Sequence, residues 1–466
     1  MVGNTTCALT GVCELMKTTS KPVVSSISRR RLLQAAATLT AGLIPGAFAQ
    51  TPSSIASGTL NPDLASLAGN RSARDIASDK RYWEAVRSLY DVPDEFIHLE
   101  HGNWGMMTNA VRDHYLQQIT RVNQLTSYYG RTQYGSALSE IMQELADTLG
   151  VDVDELAPVR NATEALTALI GGYNKLRPGD AVLYADLDYA SMQGAMRELQ
   201  HRRGISVETI SLPEPASREA LVDSYRSAFQ RNPRIKLVLL THISHRTGLL
   251  LPVAELVSLA RQHDVDVILD SAHAWGQVDF TLPDTGADFV GLNLHKWIGA
   301  PLGLGLLYIR RERLADIDRH PVRGGGDDLG GGIASRTGIG TNNIAAMLSV
   351  PQALQAHRDI GPLRKEMRLR HLRNLWVDRL SDNPKIQVLT PNDESLYAGI
   401  TSFRVRGNTG VQENQRLAER LMQEHGIFTV YRDGLASGAC VRVTPAVFSR
   451  DEEMLALADA VEAIIG

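Results

Sequence analysis

Cysteine is scarce in this chain: three in 466 residues, with Cys7 and Cys13 at the extreme amino terminus. Past residue 49 only Cys440 remains, so no disulfide framework can form even in an oxidising compartment. A basic excess is missing too. The 48 basic and 52 acidic side chains leave a net charge of −4, which argues against a nucleic-acid footprint. No apolar run approaches the roughly 20 residues that a membrane span requires. Arg160–Leu166 contains no glycine, although it lies where a dinucleotide-binding Rossmann fold would need G-x-G-x-x-G.

What is present is an ordinary globular composition, 43% hydrophobic and 21% charged, in a chain long enough for two domains. The amino terminus is a separate object. Ser28-Arg29-Arg30-Arg31 precedes an uncharged apolar run from Leu32 to Ile44 and then Ala47-Phe48-Ala49. That order of basic, apolar and small-x-small segments resembles a twin-arginine export signal. It implies cleavage before Gln50, the twin-arginine machinery as a partner and a periplasmic location, with either Met1 or Met16 as the start. The twin-arginine route carries folded proteins, which suits an enzyme loaded with its cofactor before export.

From Gly105 onward, helical and strand patterns alternate. Apolar residues recur at helical spacing over 111–125 and 137–149, and strands are predicted at 181–184, 207–210, 237–241, 265–270, 289–292 and 304–309. Such alternation predicts an α/β fold, a large domain with a mostly parallel sheet covered by helices. A smaller α+β unit should follow, with strands near 400–405, 427–431 and 441–443. The expected division is a signal at 1–49, a linker and amino-terminal segment of the small domain at 50–104, a large domain at 105–350 and a small domain at 351–466. Gly324–Gly332 reads as a flexible connector in preference to the alternative, a phosphate cradle.

The chemistry gathers where these strands end. One apolar strand finishes on Asp270. The strand 288–292 finishes just before Asn293, His295 and Lys296. An acid and an amine at the carboxyl ends of buried strands meet over the sheet edge, where open α/β sheets bind ligands. Together they supply what pyridoxal phosphate needs: an amine for a Schiff base and an acid to keep the pyridine nitrogen protonated. A phosphate needs a helix amino terminus, and Asn161 or Thr163 can cap the helix that opens there. Tyr189, after the 181–184 strand, can stack on a flat ring. His273 lies within reach of the phenolic oxygen. No carboxylate or cysteine stands at ligand spacing among His242, His245, His273 and His295, so they are read as polar groups around an anionic cofactor and no metal site is assigned.

Six ordered motifs now carry a resemblance. They are His101-Gly102-Asn103-Trp104-Gly105, Arg160-Asn161-Ala162-Thr163-Glu164-Ala165, Thr241-His242-Ile243-Ser244 through Thr247-Gly248, Asp270-Ser271-Ala272-His273-Ala274, His295-Lys296-Trp297 and Val441-Arg442-Val443-Thr444-Pro445. From about Phe96 to the carboxyl terminus the chain resembles the class-V aminotransferase family of fold-type-I pyridoxal-phosphate enzymes, in its isopenicillin N epimerase-like branch. The resemblance implies that Lys296 carries the cofactor, Asp270 pairs with the pyridinium and Tyr189 stacks on the ring. It places His273 near the phenolic oxygen and Ala162, Thr163, Asn293 and His295 around the phosphate. Thr341 would reach across from the second subunit of a homodimer. Asn103 and Arg442 would meet the substrate, Arg442 by gripping an α-carboxylate; without the resemblance Arg442 would be a strand arginine in a surface ion pair.

Two positions depart from the family pattern, His245 where asparagine is frequent and Asn342 after Thr341. The loop 432–439 lacks the thiol that sulfur-transferring relatives use, and Cys440 is expected to pack inward. The expected function is an exported enzyme acting at the α-carbon of an amino acid or an amino-acid-derived peptide or siderophore, of epimerase or aminotransferase type. The alternatives are a β-lyase breaking a C–S bond and a non-catalytic binding protein. Loss of Lys296 or Asp270 would mark the latter, and both are present.

Overall fold

The computed structural model describes residues 62–323, 331–338 and 340–466. The export signal, most of the linker and most of the glycine-rich connector lie outside the described residues.

After a short β1 (Ile97–His98), seven strands build the main sheet: β2 (Leu156–Val159), β3 (Ala181–Ala185), β4 (Ser206–Ile210), β5 (Ile235–Thr241), β6 (Asp266–Ser271), β7 (Phe289–Asn293) and β8 (Gly305–Ile309). Their spatial order is β2-β8-β7-β6-β5-β3-β4. The pairs from β4 to β7 are parallel, whereas β8 runs antiparallel to both β7 and β2. The tight Gly299–Gly303 turn explains that reversal, because so short a link cannot carry the crossover that a parallel strand needs.

Helices cover both faces, and the strand sequences record it. Along β5, Leu237 and Leu239 enter one core cluster while Val238 and Leu240 enter the other. Val267 and Leu269 likewise face opposite to Ile268. Burial on both faces is why these strands read as continuous apolar runs rather than alternating ones. The Ala162–Gly172 helix follows β2 and packs on β6, β7 and β8.

The smaller sheet contains β9 (Ile386–Val388), β10 (Thr401–Val405), β12 (Val430–Arg432) and β13 (Cys440–Val443), ordered β12-β13-β10-β9 and antiparallel throughout. The expected strand over 427–431 is two strands. Its first part, β11 (Ile427–Phe428), pairs in parallel with β1, and the chain then turns at Thr429 to join β13. A third core, around Trp376, Phe403, Leu421 and Leu457, fills this part of the molecule.

One segment ties the two sheets together. Glu100 bridges to Thr444 beyond the end of β13, and His101 donates its amide to the Thr444 carbonyl at 3.2 Å. Four residues after His101, the Gly105 amide donates to the carbonyl of His295 at 2.9 Å. A side chain at Gly105 would overlap the carbonyl oxygen of Lys296. Glycine is required there by the closeness of two backbones.

Candidate active site

Asp270 and Lys296 come from neighbouring parallel strands, with Asp270 in register with Gly291. Asp270 is buried, and its Oδ1 accepts the amide of Ala272 at 2.9 Å. Burial raises its pKa, while the Ala272 hydrogen bond and then Lys296 oppose that rise. The Lys296 amine is lowered to about 8, chiefly by desolvation, with Asp270 pulling it back up and Arg442 pushing it further down. An amine with that value is neutral in an appreciable fraction of molecules at neutral pH, the form that acts as nucleophile or base.

His273 fixes the direction of the amine. Its Nε2 lies 2.9 Å from Lys296 Nζ, and the indole N–H of Trp297 donates to its Nδ1 at 3.4 Å. An indole nitrogen only donates, so Nδ1 is the acceptor and the neutral ring carries its proton on Nε2. Burial holds the ring well below the ordinary histidine value and therefore neutral. In the neutral fraction of Lys296, this Nε2–H faces Nζ. A second buried lysine braces the same turn: Lys365 Nζ donates to the Trp297 carbonyl at 2.7 Å.

At the opposite end, Asn161 caps the Ala162–Gly172 helix by accepting the Glu164 amide at 2.8 Å. Thr163 lies exposed in the first turn. Asn293 Oδ1 accepts the amide of Ala162 at 2.8 Å, which binds the end of β7 to the helix start. His295 Nδ1 lies 2.8 Å from the Leu304 carbonyl, so it must be the donor there. The remaining Nε2 offers a phosphate an acceptor unless the ring is protonated, and burial opposes protonation. His295 therefore suits a phosphate poorly; Thr163 and the Asn293 amide nitrogen suit it better, because the Ala162 amide is already taken by Asn293 Oδ1.

Tyr189 precedes the Ala190–Arg203 helix; the residue is 39% exposed and its ring meets His245 in a T-shaped contact at 5.0 Å. Its loop is held by Asp188, whose carboxylate accepts from Thr241 Oγ1 at 2.6 Å and from the Ala185 amide at 2.7 Å. Gln193 Nε2 adds bonds to the carbonyls of Ala185, Asp186 and Asp188. A partly exposed ring on a loop held by these hydrogen bonds suits a planar ligand. Asn103 and Thr341 are exposed; Thr341 sits in a turn whose next two residues bond Tyr134 and Tyr115.

Arg442 departs from its surface reading. Its side chain is 2% exposed and forms an ion pair with Glu100, whose own side chain is 7% exposed. The second amino group donates to the His245 carbonyl at 2.6 Å. A Cβ at Gly102 would stand 2.9 Å from the guanidinium, so the Glu100–Gly105 segment lies directly against it. Glu100, Arg432 and the bracing Lys365 went unrecognised in the sequence. Cys440 is fully buried beside them, and burial pushes its thiol up to about 12.

These groups fit pyridoxal phosphate. A buried carboxylate without a full counter-charge suits a pyridinium, Lys296 presents an amine, and a helix amino terminus suits a phosphate.

The class-V aminotransferase family pattern matches residues 107–450. Isopenicillin N epimerase of Streptomyces clavuligerus is 27% identical over 406 residues, covering 82% of this chain and 98% of that protein. A putative L-cysteine desulfhydrase of Oryza sativa is 32% identical over 217 residues, 44% of this chain and 45% of that protein. Among solved structures, the cysteine desulfurase CsdA of Escherichia coli superimposes with a TM-score of 0.69 at 20% identity, covering 82% of this chain and 98% of that one. A mutant of C-DES with glycine linked to its pyridoxal-phosphate cofactor gives 0.67 at 20% identity, over 79% and 98%.

Proposed function

The chain belongs to the class-V aminotransferase family, whose enzymes use pyridoxal phosphate, and from that premise we propose that it removes and returns a proton at the α-carbon of an amino acid or amino-acid-derived substrate, as an epimerase or aminotransferase does. The observation that carries this reading is the Lys296 amine, desolvated, 2.9 Å from a neutral His273 and close enough to the Arg442 guanidinium to feel its charge. When bound, pyridoxal phosphate supplies the electron sink for charge developing at the α-carbon.

This chain's own groups do the rest. Asp270 holds positive charge at the ring nitrogen, in a position too buried for water to do so. Arg442 orients the substrate through its carboxylate, with the planar fork that suits bidentate binding. Lys296 would take the α-proton on Nζ as its lone pair turns from His273, which holds the amine in place between proton transfers. Gly102 lets the backbone lie against the Arg442 guanidinium, and Gly105 lets it meet the Lys296 carbonyl. The similarity to isopenicillin N epimerase over nearly that protein's full length favours epimerase-type chemistry. The desulfhydrase similarity favours a second reading, β-elimination with C–S cleavage. A persulfide route is disfavoured, since Cys440 is buried and strongly protonated. The same proposal includes export to the periplasm, on the motifs of Arg29–Ala49, and a homodimer, on the family resemblance at Thr341.

The test is product analysis of holoenzyme with an amino-acid and keto-acid panel in deuterated water. Deuterium at the α-carbon without keto acid indicates epimerisation. A keto acid formed from the donor, with a new amino acid formed from the acceptor, indicates transamination, and pyruvate with ammonia indicates elimination. No α-exchange with any substrate would refute the proposal.

A further inference from the structure

The Glu100–Arg442 pair poses a question that the proposed function leaves open: a guanidinium meant for a substrate carboxylate is already holding one. Oε1 of Glu100 is shared by two guanidinia, Arg442 and, at 3.3 Å, Arg432. The two arginines lie on one face of the small sheet, since Val430 is opposite Arg442 and Arg432 is opposite Cys440. Glu100 Oε2 is buried without a hydrogen-bond partner, as are the Nε–H donors of both Arg432 and Arg442. Such groups are costly unless something completes them. Two unused donors on two cations ask for oxygen acceptors carrying negative charge. The cluster of Arg432, Arg442 and Glu100 sums to one positive charge, so a single added carboxylate balances it.

We propose that Glu100 is a built-in stand-in for the substrate carboxylate, which yields Arg442 to an incoming monocarboxylate and stays held by Arg432, making Glu100 and Arg432 specificity-determining residues. This rests on the reading of Arg442 as the substrate's carboxylate site. The physical basis is competition. In the free enzyme Glu100 neutralises Arg442 and keeps a buried cation from standing alone. A ligand carboxylate takes over that neutralisation, and Arg432, whose side chain is 29% exposed, is placed to retain the displaced glutamate. Ligands without a carboxylate cannot trigger the exchange. The pair therefore sets how strongly the enzyme prefers acids over amides, and it weakens binding of the acid by the cost of moving Glu100.

The test uses holoenzyme and two probes, L-alanine and L-alaninamide, titrated to equilibrium while the cofactor's visible absorption is followed. Glu100→Gln keeps the shape and removes the competing charge. It should tighten L-alanine by about tenfold, the scale of one charge interaction partly offset by neighbours, and leave L-alaninamide within about twofold. Arg432→Gln takes away the receiving partner and should weaken L-alanine by a similar factor with the amide again unmoved. A glutamate that merely props Arg442 gives the opposite sign: Glu100→Gln then weakens the acid, or shifts acid and amide alike, and either result overturns the proposal. Equal affinity of acid in wild type and Glu100→Gln overturns it as well. If wild-type enzyme responds equally to acid and amide and Arg442→Ala changes neither, the carboxylate reading of Arg442 has failed, and this inference fails with it for that separate reason.

Discussion

Replacing Arg442 with alanine tests whether the buried ion pair is a working part of the fold. The guanidinium and the Glu100 carboxylate are 2% and 7% exposed, so removal of the arginine leaves a carboxylate that water cannot reach freely. Breaking a buried pair from one side typically costs about 3–5 kcal/mol. Arg432 still reaches the same oxygen at 3.3 Å, which places the expected loss near the lower limit, about 3 kcal/mol. Glu100→Gln strands the arginine instead and should also destabilise. The double variant removes both charges, so its cost should fall short of the sum of the singles by about 1–3 kcal/mol. Urea unfolding of apoprotein, followed by far-ultraviolet circular dichroism, separates this from any contribution of the cofactor. Arg442→Ala within about 0.5 kcal/mol of wild type, or a double variant whose cost equals the sum, would refute the reasoning. In turnover, loss of one buried charged contact of about 2–5 kcal/mol lowers kcat/KM by roughly one and a half to three and a half powers of ten.

Three other outcomes follow from the same geometry. Gly105→Ala puts a methyl group onto the Lys296 carbonyl and should cut turnover by about a hundredfold, the scale of a misplacement near 1 Å; activity assayed on a variant with unchanged far-ultraviolet dichroism checks it. Apoprotein should capture pyridoxal phosphate faster as pH rises through about 8, because the Lys296 amine loses its proton there and only the neutral amine attacks; stopped-flow absorbance reads the rate, and a rate that falls or stays flat over that range contradicts the assignment. Substituting lysine for both Arg29 and Arg30 should strand the protein in the cytoplasm, checked by cell fractionation; mature protein beginning at Gln50 in the periplasm would refute the twin-arginine reading.

The sheet was legible because burial on both faces writes long apolar runs into β5, β6 and β7, and the acid and amine that end two of them mark the site. The cap at Asn161 was legible for the same local reason. What stayed hidden depends on distant partners. Leu156–Val159 is a strand despite Pro158, which its place at the sheet edge allows. Ile386–Val388 is three residues long and too short for a period to show. Glu100 reads as a surface charge until Arg442, 342 residues away, closes on it. Lys365 stands in a helix with Arg364, Arg368 and Arg370, a run that resembles a solvated face, yet tertiary packing buries it against the Trp297 carbonyl. Periodicity reports which face of an element is buried; it cannot report which charged residue of another element waits there.

The central claim is that Lys296 is the residue to which the cofactor attaches. Holoenzyme reduced with borohydride, digested and mapped by mass spectrometry should carry the pyridoxyl group on the peptide containing Lys296, and Lys296→Ala should bind pyridoxal phosphate without becoming reducible. A pyridoxyl group on any other lysine, Lys365 in particular since its buried amine braces the same turn, would contradict the account.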